Sequence, residues 1–178
     1  MPGPTSLIAV RDELPAPRLA HTQRLWLPGD FPSTNEMLEL ARAEGFSRGL
    51  RHYERSKGKR QTPIHRPHAN RIASIRAHAA AHARKYLEPI PAERWVRLAF
   101  FLIGHPRYDA DAWYLSAKPI ADGLQDAGVI GNDAADVHST EGRCVKSAEE
   151  AAALAGAERV GARWGGGPGM LVEVSPWG

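Results

Sequence analysis

The chain has 178 residues, 43% hydrophobic and 24% charged, with a formal net charge of +3 at pH 7. Those proportions predict a soluble globular domain long enough to bury a core. With no run of about 18 apolar residues, they exclude a helix crossing a membrane. A single cysteine, Cys144, excludes an internal disulfide and fits a reducing cytoplasm.

Residues 1–20 are rich in proline and predict a flexible arm. They lack the basic-then-apolar order of a secretory signal. Residues 21–178 read as a single domain. TQRLWLPG predicts a first strand, stopped by Pro28 and Gly29. PSTNEMLELARAEG predicts a helix with Ser33 or Thr34 at its N-cap, an acid shortly after, and Gly45 as its stop. Residues 46–66 have no usable period and predict a mobile basic loop. In HANRIASIRAHAAAHARKYLEP, Ile72, Ile75, Ala79 and Tyr86 fall near helical spacing, giving a long helix that ends near Pro89. WVRLAFFLIG reads as a strand buried on both faces for much of its length. A helix within 112–127 stops at Gly128, with Pro119 either in its first turn after a Ser116 cap or at a kink. A strand within 136–146, a short helix in SAEEAAALAGAE and a last strand in GMLVEVSP complete the chain. Residues 147–169 read as an insertion. The GGGPG run at its end is a flexible connector, lacking the lysine and following helix of a phosphate loop. The order β-α-loop-α-β-α-β-α-β predicts a compact α/β (α+β) domain with a mixed sheet.

Charge is unevenly spread. Arg48, Arg51, Arg55, Lys57, Lys59, Arg60, Arg66, Arg71, Arg76, Arg84 and Lys85 crowd one stretch in which Glu54 is the only acid, and five of the eight histidines lie there too. Such a block is either a solvated face or the footprint of a polyanion, with nucleic acid the leading candidate. His78 and His82 have the i, i+4 spacing that zinc sites use, but no third ligand is in view, so a polar face or a DNA contact is the better reading.

The acids gather elsewhere. Asp109 and Asp111 follow the most hydrophobic run of the chain, two positions apart, so in extended backbone both carboxylates face one site. Lys118 and Asp122 come seven and eleven positions after Asp111, on its face if the helix is continuous. Asp133 supplies a third carboxylate from another segment. Converging carboxylates need a compensating charge, and hard divalent ions such as Mg²⁺ prefer oxygen ligands and assist phosphodiester hydrolysis. A lysine beside them can hold the scissile phosphate. Asp122 reads as an orienting partner for Lys118 or Arg107. His105 and Arg107 flank the aspartates as phosphate contacts. Trp26, Trp95 and Trp113 read as core or dimer contacts.

Arg107-Tyr-Asp109-Ala-Asp111, then Lys118-Pro-Ile-Ala-Asp122-Gly-Leu-Gln-Asp-Ala-Gly128, then Asn132-Asp133 resembles the core motif of RusA-type Holliday-junction resolvases. The first strand followed by Pro28, Pro32, Ser33 and Asn35 is similar to that family's N-terminal pattern. The resemblance spans roughly residues 23 to 146. Ala112 stands where the family usually has asparagine, Lys118 comes three positions later than usual, and Asn132 replaces the first member of an acidic pair.

The resemblance implies a Mg²⁺-dependent endodeoxyribonuclease, with Mn²⁺ a possible substitute. It implies a homodimer that resolves four-way or related branched DNA in recombination, repair or phage DNA processing, within a bacterial or phage-infected cell. It makes Asp109, Asp111 and Asp133 the metal-binding catalytic carboxylates and Lys118 the catalytic lysine. It makes Arg55, Lys57, Lys59, Arg60, Arg66, Arg71, Arg76, His105 and Arg107 DNA contacts. No organic cofactor and no membrane partner are implied. The alternatives are a non-cleaving branched-DNA-binding protein on the same fold, motivated by Ala112 and Asn132, and a flap- or fork-type nuclease.

Overall fold

The computed structural model describes residues 22–91, 95–104, 108, 110–131, 137–156 and 167–177. Eight elements run through them: β1 (Gln23–Pro28), α1 (Thr34–Ser56), α2 (Pro67–Tyr86), β2 (Trp95–Ile103), α3 (Tyr114–Asp126), β3 (Val137–Cys144), α4 (Ala148–Gly156) and β4 (Gly169–Trp177). The strands form one open mixed sheet in the order β1-β4-β2-β3. β4 is antiparallel to both β1 and β2, while β3 lies parallel to β2. The flexible arm expected at 1–20 lies outside the described residues.

Period-2 alternation sets the two faces of the sheet. Val96, Leu98, Phe100 and Leu102 of β2 join Leu25, Leu27, Met170, Val172 and Val174 in one buried cluster. α2 and α3 close it with Ile75, Ala79, Ala83, Ala117, Ile120 and Leu124. The opposite face is only partly covered. Trp26, Ile103, Val145 and Leu171 pack under Ala151 and Leu154 of α4 at one end. Towards the other end Trp95 is exposed, Arg97 pairs with Glu141, and Arg24 pairs with Glu173 at 2.7 Å. On this face of β2, Ala99 and Ile103 are buried, Arg97 and Phe101 half-buried and Trp95 exposed, so the strand is buried on both faces for much of its length, as expected, but not at its start.

α2 and α3 touch backbone to side chain at Gly123. A Cβ there would lie 2.6 Å from the Arg76 carbonyl oxygen and 2.8 Å from Ala79 Cβ, so only glycine allows this approach. Arg76 then clamps the pair, donating through Nε and Nη2 to Asp126 at 2.5 and 2.6 Å, and Arg84 donates to the Asp126 carbonyl at 2.8 Å.

One sequence expectation is corrected. The first helix does not stop at Gly45, and residues 46–56 are not a loop: α1 continues to Ser56. A mid-helix glycine costs about 1 kcal/mol, and contacts invisible to local pattern offset it. Residues 57–66 fold back along α1, where Thr62 donates its N–H and hydroxyl to Glu54 at 2.6 and 2.7 Å. Arg51 donates to Gln61 at 2.9 Å, and the His65 N–H donates to Ser47 Oγ at 2.8 Å. For α3 the structure decides between the two readings of Pro119: the helix begins at Tyr114, with Trp113 at the N-cap position, and not after a Ser116 cap. Ser116 is thus an interior residue and Pro119 lies well inside the helix. Of the supposed flexible connector, Pro168 is fixed by the Gly29 N–H, which donates to its carbonyl at 3.0 Å. Gly165 and Gly166 lie outside the described residues.

Candidate functional site

β2 and β3 are a parallel pair joined through α3, and the chain leaving the C-terminal end of β2 carries the aspartates. In open α/β sheets this edge is where ligands are commonly held. The turn at 110–113 is fixed from below. Ala112 is buried, and Trp113 stacks on Phe100 with ring centroids 5.9 Å apart and planes 12° from parallel. Gly142, which pairs with Phe100 across β2 and β3, leaves the ledge that Trp113 occupies, since a Cβ there would stand 2.5 Å from the indole. With its two successors pinned, Asp111 is left exposed, and its carbonyl accepts the Tyr114 N–H at 2.9 Å to lead into α3. The helix is not continuous back to Asp111, so the shared face expected for Asp111 and Lys118 from helical phase does not follow from α3.

Lys118 is exposed on α3, and its Nζ donates to Asp122 Oδ1 at 2.7 Å. The orienting role expected for Asp122 towards Lys118 matches this contact. Asp122 Oδ2 also stands 4.0 Å from Arg76. Lys118 borders an apolar cavity of about 300 Å³ lined by Leu98, Tyr114, Ala121, Val137 and Thr140. Val137, four positions after Asp133, therefore enters the sheet beside Lys118.

Asp109, Asp133, His105 and Arg107 lie outside the described residues, so of the expected catalytic set only Asp111 and Lys118 are placed. Among the described residues no group of three or more His, Cys, Asp or Glu side chains could hold a metal. The chemistry of the expected donors still suits a hard cation: they are carboxylates, and the described one, Asp111, is open to solvent.

Contacts from two distant elements hold Tyr108, the residue before Asp109. Lys146, just beyond β3, donates through Nζ to the Tyr108 carbonyl. The Tyr108 hydroxyl donates to Glu36 Oε2 at 3.3 Å. Glu36 is the acid of a capping box: it accepts the Ser33 N–H at 2.6 Å while Ser33 Oγ accepts the Glu36 N–H at 3.2 Å. The Ser33 N–H holds the Glu36 carboxyl below its ordinary value, while burial and the Glu36 charge push the Tyr108 phenol up. The capping pattern was legible in sequence. Its use to anchor Tyr108, 72 positions away, was not. Beside it, Asp30, Phe31, Glu39, Arg71 and Tyr108 line an open cleft of about 730 Å³.

Cys144 sits under the turn, buried, and desolvation pushes its thiol up, which argues against a nucleophilic role. The His78 and His82 rings lie 4.3 Å apart, with burial and then the His82 charge lowering the His78 value. His78 Nε2 is 3.0 Å from the Pro28 carbonyl.

The basic residues divide into two kinds. Arg55, Lys57, Lys59, Arg60 and Arg66 are exposed at the far end of α1 and along the returning segment. Arg71 instead donates to the Asp30 carbonyl at 2.6 Å, and Arg76 is held by Asp126. From Glu36 to Ser56 the helix spans about 30 Å at ~1.5 Å per residue, so Arg55 and Lys57 lie far along α1 from the capping end that holds Tyr108, while Arg66, next to the His65 that meets Ser47, lies about half as far.

No helix among the described residues is long and apolar enough to cross a membrane. No protein-family model matches the chain, and no curated protein or solved structure matches it either. What the fold defines is a mixed α/β domain with an open four-stranded sheet and four helices among the described residues.

Proposed function

We propose that this chain is a Mg²⁺-dependent, structure-specific endodeoxyribonuclease of the RusA type, acting on four-way or related branched DNA as a homodimer. The observation that carries the reading is Asp111. It is the second acid of a D-x-D following the central strand, held exposed by a buried Ala112 and a stacked Trp113, with Lys118 and its partner Asp122 on the next helix.

In this reading Asp109, Asp111 and Asp133 would hold the metal, which would supply Lewis acidity towards the phosphodiester. Lys118 binds the scissile phosphate, and Asp122 keeps its ammonium aimed. Trp113 and Tyr108, anchored on Phe100 and Glu36, keep the loop in place. The exposed cations at the far end of α1, about 30 Å along it, meet backbone phosphates some nine base pairs away at ~3.4 Å per pair, which positions the duplex without reading its sequence.

The deciding experiment incubates a labelled four-way junction and a linear duplex of the same sequence with the protein, with and without Mg²⁺. Paired metal-dependent cuts in the junction, absent in Asp111→Asn, support the proposal. Tight junction binding with no cleavage in Mg²⁺ or Mn²⁺ favours the non-cleaving binding protein, to which Ala112 and Asn132 point.

A further inference from the structure

Neither packing nor backbone conformation requires the two glycines of α1. Gly45 and Gly49 lie inside the helix, neither has a positive φ, and a Cβ at either would meet nothing within 4 Å. Each costs about 1 kcal/mol against alanine in a helix interior. What they do is leave the backbone bare along one side of a ridge. Phe46, Leu50 and Tyr53, at i, i+4 and i+7, are exposed to 76%, 39% and 53%. Arg42 stands one turn before them and Lys57 one turn after, both within about 40° of Phe46 at ~100° per residue. Lys59 brings its Nζ 5.8 Å from the centre of the Tyr53 ring. From Arg42 to Arg60 there are seven arginines and lysines against two acids, so the surroundings of the ridge are strongly positive. Both acids are already engaged: Glu44 accepts from Arg48 and the Ala69 N–H, and Glu54 accepts from Thr62.

We infer that this ridge binds unpaired DNA bases, stacking them on Phe46 and Tyr53 and across Leu50, with Arg42, Lys57 and Lys59 on the phosphates that join them. The inference rests on the branched-DNA reading above and deepens it by naming what the protein recognises at a branch. In paired duplex the base faces are stacked on one another and only their edges reach the grooves, so an apolar rung has nothing flat to meet there. Bases that have lost a neighbour, at a branch or in a single strand, offer a free face that an aromatic ring takes up whatever the sequence. The spacing agrees. Phe46 to Leu50 is about 6 Å and Leu50 to Tyr53 about 4.5 Å at ~1.5 Å per residue. Both exceed the ~3.4 Å step of stacked bases, so the rungs fit bases drawn apart. The bare backbone at Gly45 and Gly49 lets a strand lie close beside the rings. Cations at both ends of the ridge select a polyanion over an apolar helix of another protein.

The test is binding without Mg²⁺, read by fluorescence anisotropy, of a short labelled oligothymidylate and of a duplex of the same length. The wild type is expected to bind both. Phe46→Ala changes an exposed side chain and should spare the fold. It is expected to weaken the single strand by about tenfold or more and to leave duplex affinity unchanged. The slope of log affinity against log salt should also stay as it was, because no phosphate contact is lost. Phe46→Tyr is expected to keep wild-type affinity. Arg42→Ala and Lys57→Ala are each expected to lower the single-strand slope by about 0.7. A wild type that does not bind the single strand overturns the inference, as does an equal loss on both DNAs in Phe46→Ala or a slope that falls with it. A Phe46→Ala variant whose sedimenting mass drops also overturns it and gives the ridge to a protein contact. No cleavage enters the measurement, so a protein that passes here and fails to cut junctions loses the nuclease reading and keeps this one.

Discussion

Lys118 Nζ donates to Asp122 Oδ1 at 2.7 Å, one helical turn away on α3, while the other Asp122 oxygen faces Arg76 of α2 at 4.0 Å. Asp122 thus ties the proposed phosphate-binding lysine to the helix pair behind it. Asp122→Asn should lower junction cleavage by about ten- to a hundredfold, the range expected when a positioned group is allowed to drift. Lys118→Ala should lower it further, and both variants should still bind the junction. Single-turnover rates at saturating protein measure this, and full activity in both variants would remove Lys118 from the mechanism.

Asp111→Asn is the companion change at the carboxylates. It should abolish cleavage while leaving the melting temperature close to that of the wild type, since Asp111 is exposed and its neighbours Ala112 and Trp113 do the anchoring.

The exposed cations should be visible in salt dependence. If Lys59 and Arg60 each contact a phosphate, replacing both by alanine should reduce the slope of log affinity against log salt by about two, at ~0.9 per contact. Arg76→Ala should leave that slope unchanged, because its guanidinium is already held by Asp126. An equal loss of slope in both variants would count against this division of roles.

Packing gives two stability predictions of opposite sign. Gly123→Leu drives a side chain into the Arg76 carbonyl 2.6 Å from its Cβ position and should destabilise by about 1–3 kcal/mol or more, measured by urea unfolding. Ser116 is fully buried, and its hydroxyl has no hydrogen-bond partner among the described residues. Ser116→Ala removes that cost and should stabilise by about 1 kcal/mol, raising the melting temperature by roughly 2–4 °C.

The pH profile of stability should report Glu44. The Ala69 N–H and then Arg48 hold its carboxyl below the ordinary 4.5, so the folded state binds this proton less readily than the unfolded chain. Its contribution is present in full above pH 4.5 and is lost as the pH falls towards the lowered folded value. Glu44→Gln should be less stable at neutral pH and should flatten the decline below pH 4.5. A variant whose acid limb superimposes on the wild type would show that the Ala69 contact does not matter.

Much of the frame was readable from local pattern. The alternating apolar residues of β1, β2 and β4, the Ala-rich spacing of α2, and Gly128 after α3 name elements whose causes act within a few residues. The D-x-D and the lysine after it stand out as a candidate site for the same reason, being marked by residue type and short spacing. The end of α1 was not legible. Gly45 and the charge-rich stretch after it argue for a loop until Thr62, Gln61 and His65 come back to satisfy Glu54, Arg51 and Ser47.

By itself, then, the sequence determined most of the strands and helices, though not where α1 ends, and where the acids and cations cluster and which residue types could do chemistry. Tertiary structure alone decided that β4, the last element, sits between β1 and β2, and that the sheet is covered fully on one face and partly on the other. It decided that Lys146 and Glu36 brace the loop at Tyr108, and that Arg76 serves the helix pair while the cations of the returning segment face solvent. The physical reason is range. Propensity, capping and side-chain periodicity act over one or two turns, whereas these assignments depend on groups 20 to 150 positions apart meeting through burial and hydrogen bonding.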